Sequence, residues 1–392
     1  MRISTSQIFD NGIFGIVKNQ YDAYRLQNQL STGRRVVTPA DDPVAAAQAL
    51  LTEQKQSVNK QFLDNQGNAA AQLRELDALM NGVSGILIDA KARWVEAGNG
   101  AYSNNELLDL AHDIRSKFAE LLGIANGSDA NGLFRFAGYQ AATRPFVSHN
   151  GVVSYQGDSG ERVLQVETGR FLPISFSGRE FFEAVPTGNG IFVANPGAGN
   201  TGSGVIDNGT MVGGAYSGLT YTITFTGPDS FDIFDGTVTT SVAGYVAGDP
   251  INLGGAQVSI TGAPAVGDTF TVAPSREESI FTTLNAFIAA LEAGNAGSAD
   301  FRNAMLRVGA SLDQGLQHVL NCRSKVGASL AELDDLTSLG KDLNVQYQMQ
   351  ISDLVDLDYA KAISDLQINQ LQLQAAQQSY IKVTGLSLFN FI

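Results

Sequence analysis

The chain has 392 residues, which is enough for two or three domains, and a net charge of −14. This acidic balance, with no run of Lys or Arg, argues against binding to nucleic acid and against docking on anionic membranes. No apolar run approaches the roughly 18 residues of a membrane helix, and the first residues lack the apolar segment of a secretory signal peptide. If the protein is exported, we expect a route without a cleaved signal.

The first predicted element is a helix over residues 3 to 30. Apolar or small side chains recur every seven residues along it, and one more stands at the intervening position: Phe9, Ile16, Ala23 and Leu30, with Ile13. Seven-residue spacing places a stripe on one side of a helix and favours packing against a partner helix. Gln20 and Gln27 continue the row of Ile13, which weakens the stripe.

A second helix is predicted to begin at Asp42-Pro43, after a polar connection that starts at Ser31. An Asp carboxylate accepts the unpaired backbone N–H groups of a helix start, and Pro is tolerated in the first turn. Apolar residues recur in steps of three and four over residues 44 to 94, which predicts a helix of about fifty residues. Ser103 and Glu106 have capping-box spacing and predict the start of a third helix.

The middle of the chain is predicted to be β structure. Residues 134 to 136, 152 to 155 and 163 to 166 have the composition of short strands joined by turns. Residues 184 to 274 contain no Lys or Arg, and residues 220 to 226 alternate polar and apolar side chains, as a half-buried strand does. We therefore predict a separate β domain, a small sandwich, inserted between two helical halves.

Helices are predicted to resume at Ser275, whose partner Glu278 again has capping-box spacing, and to continue from about Asp300. The last long stretch, residues 330 to 382, contains no Pro and only one Gly. A second seven-residue repeat lies in it, opposite a side rich in Gln: Tyr359, Leu366, Leu373 and Tyr380. We predict that the two repeats pair with each other, within one chain or between copies, and an ordinary helical bundle stays open as the alternative.

The predicted fold class is mainly α with an inserted all-β domain. We expect an elongated chain whose long N- and C-terminal helices pair as a coiled coil or bundle, with a small β-sandwich at the far end. The predicted domains are residues 1–33 plus 340–392 as the terminal coiled-coil region, residues 34–169 plus 276–339 as a helical rod with β-hairpins, and residues 170–275 as the outer β domain.

The sequence offers little for catalysis. Cys322, the only cysteine, lies on an apolar helical stripe, which predicts a small buried hydrophobe rather than a reactive thiol. The three histidines have no metal-pair spacing. A GxGxxG match from Gly197 to Gly202 lacks the helix start that a dinucleotide site needs. We expect no enzyme activity, no metal and no cofactor.

Four segments resemble the flagellin superfamily and, within it, the hook-filament junction type: MRIST at the start, LSTGRRVVTPADDPVAAAQAL, FAGYQAATRPF, and the ending TGLSLFNFI. Filament-forming flagellins usually end in a run resembling LSLLR, which differs from the ending of this chain. The resemblance covers both helical ends, residues 1 to 145 and 276 to 392.

That resemblance implies a structural protein of the bacterial flagellum that joins a hook-side subunit to the flagellin filament and serves motility. It implies paired terminal helices in an inner tube layer, then a rod layer and an outer β domain. The implied partners are flagellin, the larger hook-associated protein, further copies of the chain in a ring or tube layer, and a cytoplasmic chaperone on the C-terminal helix. Export would use the flagellar type III route, to the hook-filament junction.

Two groups of residues are predicted to carry this function. The assembly seam consists of Phe9, Ile13, Ile16, Ala23, Leu30, Tyr359, Leu366, Leu373 and Tyr380. By the matching motif, the bend between the inner and rod layers consists of Ser31, Gly33, Arg34, Pro39, Asp41, Asp42 and Pro43.

Two other functions stay open from the sequence. One is a filament-forming flagellin. The other is an enzyme or carbohydrate-binding module in the β domain, which a cleft with converging polar side chains would support.

Overall fold

The structure, a computed structural model, describes residues 5–100, 102–129, 132–149 and 151–385. Long helices lie towards both ends of the described residues, and strands fill the middle, so the predicted class of a mainly α chain with a β insertion is confirmed. The helices are α1 Thr5–Thr32, α2 Pro43–Ala97, α3 Asn104–Ala125, α4 Ile280–Ala293, α5 Ala299–Val355 and α6 Tyr359–Gly385. In this part of the chain no helix is long and apolar enough to cross a membrane.

The strands all lie between α3 and α4, together with one turn of π-helix at Arg179–Glu183. They are β1 Phe146–His149, β2 Val152–Tyr155, β3 Val163–Glu167, β4 Arg170–Pro173, β5 Val185–Pro186, β6 Phe192–Pro196, β7 Val205–Ile206, β8 Thr210–Met211, β9 Tyr221–Gly227, β10 Ser230–Phe234, β11 Thr239–Ala243, β12 Pro250–Leu253, β13 Ala256–Thr261, β14 Thr269–Pro274 and β15 Glu277–Glu278.

Two compact units make up the chain. The terminal unit comprises Met1–Asn65 and Asp335–Ile392, and the central unit comprises Gln66–Asp334. Both α2 and α5 contribute residues to each unit. The three-part division predicted from the sequence stays a prediction.

Within the terminal unit, α1 packs along α6, and the first part of α2 packs along the last part of α5. Amide side chains connect the second pair: the Asn59 Nδ2 donates to the Gly340 carbonyl at 2.7 Å, and the Gln56 Nε2 donates to the Asn344 Oδ1 at 3.1 Å. Hydrogen-bonding side chains in a helix seam set the register at some cost in stability.

The C-terminal stretch is not one continuous helix. The helix α5 ends at Val355 and α6 begins at Tyr359, although no Gly or Pro separates them. The interruption has a non-local cause, because the backbone of Asp356 forms an antiparallel bridge with Arg34. Asp358 then begins α6: its carbonyl accepts the Ala362 N–H at 2.9 Å, and its Oδ1 accepts the Lys361 N–H at 3.1 Å.

In the central unit, one helix begins where the sequence predicts and another does not. Ser103 and Glu106 form the predicted capping box of α3. The predicted start at Ser275 is wrong, because Glu278 lies in β15 and pairs with Val185. Ser279 caps α4 instead, accepting the Phe281 N–H at 3.2 Å.

Strands β6 to β14 form the predicted small sandwich. One antiparallel sheet has the order β11-β10-β9-β14-β6, and the other has the order β12-β13-β7, with β8 also pairing with β13. A single buried cluster fills the space between them, with contributions from both sheets: Phe192, Phe225, Phe270, Leu253, Val258 and Ile260. Alternating burial along β9 and β13 accounts for this core, since one face of each strand points inward.

The predicted strand at residues 134 to 136 does not form. Phe136 is instead fully buried among aromatic rings, stacked on Phe181 at 5.4 Å and edge-on to Phe182 at 5.1 Å. Phe182 also lies 5.1 Å from Phe146 and 5.6 Å from Phe281. Tertiary packing of the rings therefore decides this segment, rather than the β propensity of Phe.

Candidate assembly site

The seam between α1 and α6 follows seven-residue spacing on both helices. Its α1 side consists of half-buried residues that alternate in steps of three and four: Phe9, Gly12, Ile16, Asn19, Ala23, Leu26 and Leu30. Its α6 side shows the same alternation, with a buried Ala362 followed by half-buried residues: Leu366, Asn369, Leu373, Ala376 and Tyr380. The rings of Phe9 and Tyr380 meet edge to face at 6.3 Å, so the two helices run antiparallel. Such alternation is the pattern of a coiled-coil seam.

Most of the predicted seam residues lie in this contact, and two differ. Ile13 is 47% exposed, because the second row of α1 is formed by Gly12, Asn19 and Leu26, one residue earlier in each heptad. Tyr359 is 53% exposed at the first turn of α6, although its hydroxyl lies against Gly33. The part these residues play in assembly stays a prediction.

A second apolar stripe runs along α1 on the side opposite the seam. It consists of Phe14, Val17, Tyr21 and Tyr24, again in steps of three and four, and each of these side chains is more than half exposed. We call these four residues the outer stripe. On α6, Ile363, Ile368 and Leu371 are exposed as well. Exposed apolar side chains that share one side of a helix are typical of an interaction site, and this role stays a prediction for the outer stripe.

The connection between α1 and α2 is held by backbone contacts to the interruption between α5 and α6. Gly33 has a φ of +70°, which favours Gly, and its carbonyl accepts the Leu357 N–H at 3.0 Å. The Arg35 N–H donates to the Val355 carbonyl at 2.6 Å, and its guanidinium donates to the Leu354 carbonyl at 2.6 Å. Among the contacts of the described residues Arg34 takes part through its backbone alone, whereas Arg35, which is not among the predicted bend residues, supplies side-chain contacts.

Two carboxylates shape the rest of the predicted bend. The Asp41 Oδ2 accepts the Thr38 N–H at 2.8 Å and the Thr38 hydroxyl at 3.0 Å. The Asp42 Oδ1 accepts the Ala45 N–H at 3.0 Å, as a helix cap does, and its Oδ2 pairs with Arg35 at 3.0 Å. The hydrogen bond from the Thr38 backbone lowers the pKa of Asp41, and the one from the Ala45 backbone lowers the pKa of Asp42.

These lowered pKa values predict a pH dependence. A carboxylate whose pKa is lower in the folded state stabilises the fold above its unfolded pKa, and this stabilisation is lost as the pH falls through the folded pKa. We therefore expect Asp41→Ala to reduce the loss of thermal stability between about pH 5 and pH 2, compared with the unchanged chain. Asp64→Ala, which removes an exposed carboxylate from α2, is the control. Equal pH profiles for Asp41→Ala and the unchanged chain would contradict the expectation.

Groups associated with catalysis are not gathered at this site. Within residues 5–100, 102–129, 132–149 and 151–385, no three His, Cys, Asp or Glu side chains are placed to hold a metal ion. Cys322 is buried as predicted, and burial raises the pKa of its thiol to about 11. The GxGxxG segment begins no helix; the backbone N–H groups of Thr201 and Gly202 donate to the carboxylate of Asp268 at 2.8 and 3.0 Å.

The central unit has a groove of about 510 Å³ between the sheet containing β6 and the helices α4 and α5. Its polar lining includes Asn195, Glu278 and Arg307, and it contains no His or Cys. The Glu278 carboxylate accepts the Thr283 hydroxyl at 3.4 Å, and burial raises its pKa. Whether this groove belongs to an enzyme or carbohydrate-binding module, the alternative left open by the sequence, stays a prediction.

Paired terminal helices together with an inserted β domain are the arrangement that the sequence predicts for a structural protein of the flagellin type. Residues 3–141 match the bacterial flagellin N-terminal helical region. The resemblance to the flagellin superfamily expected from the sequence is thereby confirmed.

Two relatives match this chain over nearly its whole length, and both are flagellar hook-associated proteins. The chain is 27% identical to flagellar hook-associated protein 3 of Salmonella typhimurium and 28% identical to that of Escherichia coli K12, over 99% of this chain and 99% of each relative. The crystal structure of the flagellar junction protein FlgL from Legionella pneumophila matches with a TM-score of 0.72 and 25% identity, over 79% of this chain and 100% of that one. These comparisons favour the junction type over a filament-forming flagellin.

Proposed function

We propose that this chain is a structural adaptor of the bacterial flagellum, which joins a hook-side hook-associated protein to the flagellin filament. The observation that carries the proposal is the similarity to hook-associated protein 3 along essentially the whole of both chains. A likeness confined to the N-terminal helical region would fit a filament-forming flagellin equally well, because the family matched there is that of bacterial flagellin.

The physical mechanism that we propose is folding coupled to assembly. A single helix pair with a seam containing Gly and Asn buries little apolar surface, so it is marginally stable in water. The outer stripe of α1 gains stability only when a neighbouring subunit covers it. Copies of the chain would therefore stabilise this marginal helix pair by packing their terminal helices side by side in a ring or tube layer, with flagellin on one side and the larger hook-associated protein on the other.

Exposed apolar side chains on α6 are relevant to export. Ile363, Ile368 and Leu371 leave α6 with apolar side chains that need cover before assembly. A cytoplasmic chaperone on this helix would supply that cover, and the flagellar type III route would carry the chain to the hook-filament junction without a cleaved signal. The Asp41 and Arg35 contacts support the predicted role of the connection as a bend of fixed geometry.

Deletion of the gene tests the proposal. In a flagellated bacterium that makes this chain as its only protein of this type, we expect intact hooks, no filaments, and flagellin released into the medium as monomers. The reason is that flagellin would lack the subunits on which it begins to polymerise. Immunoblots of the medium and electron microscopy of the cells give the result, with the complemented strain as control. A medium free of flagellin would favour a filament-forming flagellin, and normal filaments would exclude both functions.

A further inference from the structure

Two glycines at the ends of the α1–α6 seam lie against two tyrosines of α6. A Cβ atom added to Gly12 would lie 2.9 Å from the ring of Tyr380. One added to Gly33, the residue after α1, would lie 2.7 Å from the hydroxyl of Tyr359. Real Cβ atoms essentially never make contacts this short, so a side chain at either position would displace the tyrosine beside it. We call each of these glycine positions a notch.

The two notches have matching spacing. Gly12 and Gly33 are three heptads apart, and so are Tyr359 and Tyr380. Both contacts are therefore made in a single antiparallel register. By contrast, Gly15 faces open space on the same helix, so the close approach is not a general property of glycine in α1.

The same register, extended along both helices, gives the layers expected between the notches. Counting inward by heptad positions from both ends pairs Ile16 with Ala376, Asn19 with Leu373, Ala23 with Asn369, Leu26 with Leu366, and Leu30 with Ala362. A small residue stands opposite a larger one in three of these five layers. Large side chains opposite small ones keep the spacing of two helices even, because the summed volume of each layer stays similar.

A slip by one heptad would remove these matches. A slip by one heptad in either direction separates both tyrosines from their glycines. Asn369 then lies opposite Ile16 or Leu30 instead of Ala23, depending on the direction. The Asn369 Oδ1 is already buried without a hydrogen-bond partner among the described residues, so a bulkier apolar neighbour would worsen its surroundings. The register with two filled notches is the one that the seam favours.

We propose that Gly12 with Tyr380 and Gly33 with Tyr359 are register-determining contacts, which hold the terminal helices in one antiparallel alignment. That alignment fixes how far the outer stripe of α1 lies from the exposed apolar residues of α6. A neighbouring copy would then meet one composite surface, a consequence that rests on the proposed assembly function. The register itself does not rest on it.

Disulfide mapping in the full-length, unassembled chain tests the register. Ala23→Cys with Asn369→Cys places two thiols in one layer, whereas Ala23→Cys with Ala376→Cys separates them by one heptad, about 10 Å along the helix. A disulfide needs Cα atoms closer than about 7 Å, so we expect the first pair to cross-link at least about tenfold faster. Cys322 is buried with a raised pKa and stays out of the exchange.

A larger side chain in a notch is expected to change the cross-linking rates. We expect Gly12→Leu to slow the in-register cross-link several-fold, because the leucine displaces the Tyr380 ring. Gly15→Leu is the matched control, with the same substitution facing open space, and should leave the rate unchanged. Tyr380→Ala added to Gly12→Leu should restore the in-register rate, which separates a filled notch from a general loss of folding. At the second notch, Gly33→Asn fills the space while tolerating a positive φ.

Three results would overturn the inference: equal rates for the two cysteine pairs, equal effects of Gly12→Leu and Gly15→Leu, or no rescue by Tyr380→Ala. Failure of the adaptor function would be seen in the deletion strain and would leave these rates as expected, so the two proposals fail separately.

Discussion

Replacing Phe14 and Tyr21 by Glu is expected to abolish assembly of the chain while leaving the isolated chain as stable as before. Both side chains belong to the outer stripe, with exposed fractions of 72% and 66%, so neither contributes to the core of a single chain. Burial of one such side chain against a neighbour stabilises the contact by roughly 1.5–3 kcal/mol, and a buried unpaired carboxylate adds a further cost. The combined loss of about 3 kcal/mol or more weakens association at least about a hundredfold.

Two measurements are needed for this prediction. Restoration of filaments in the deletion strain reports on assembly, and circular dichroism with thermal unfolding reports on the isolated chain. Gln20→Glu with Gln27→Glu is the matched control, because it adds the same charge at the same seven-residue separation on exposed positions of α1. We expect this control to assemble. Full motility of the Phe14 and Tyr21 variant would show that the outer stripe is not an interface.

Heptad spacing locates the seam between α1 and α6, but it does not identify every residue in the seam. The repeats of Phe9 and Tyr380 are recognisable in the sequence because large apolar residues recur every seven positions, and these residues do meet in the structure. The sequence also places Ile13 in the second row, since an apolar residue is the expected occupant of a seam. The structure has Gly12 and Asn19 in that row, and neither type gives a hydrophobic signal.

Size complementarity explains why those residues fit. Gly12 is required where the Tyr380 ring comes close, a requirement that becomes apparent only when both helices are in place. A pattern read along one helix contains no information about its partner's volumes. The seam was therefore predictable as a location, whereas its small residues were not.

Helix ends with a local cause could be predicted from the sequence, whereas helix ends with a non-local cause could not. The capping box of Ser103 and Glu106 was predictable, because all its hydrogen bonds lie within one turn. The interruption at residues 356 to 358 was not, because it depends on a bridge between Asp356 and Arg34, far apart in the sequence. The start of α4 moved from Ser275 to Ser279 for the same kind of reason: Glu278 pairs with Val185 in a strand.

Phe182→Ala is expected to destabilise the central unit by about 3–5 kcal/mol, the usual cost of deleting a buried phenylalanine ring. Phe182 is fully buried in the π-helical turn and has four aromatic neighbours, the nearest being Phe181 at 4.7 Å. Removing the ring leaves a cavity among groups that come from separate segments of the chain, so the site collapses only in part. Chemical denaturation of the full chain, followed by fluorescence and circular dichroism, measures the change.

Phe171→Ala provides the comparison, because this ring is 53% exposed on β4 and its deletion opens no enclosed cavity. We expect its cost to stay below about 1 kcal/mol, the usual range for a surface substitution. The contrast separates packing of the aromatic cluster from a general effect of losing a phenylalanine. Equal losses of stability in the two variants would contradict this expectation. Packing around Phe182 would then not explain why residues 134 to 136 do not form a strand, and another contact would have to do so.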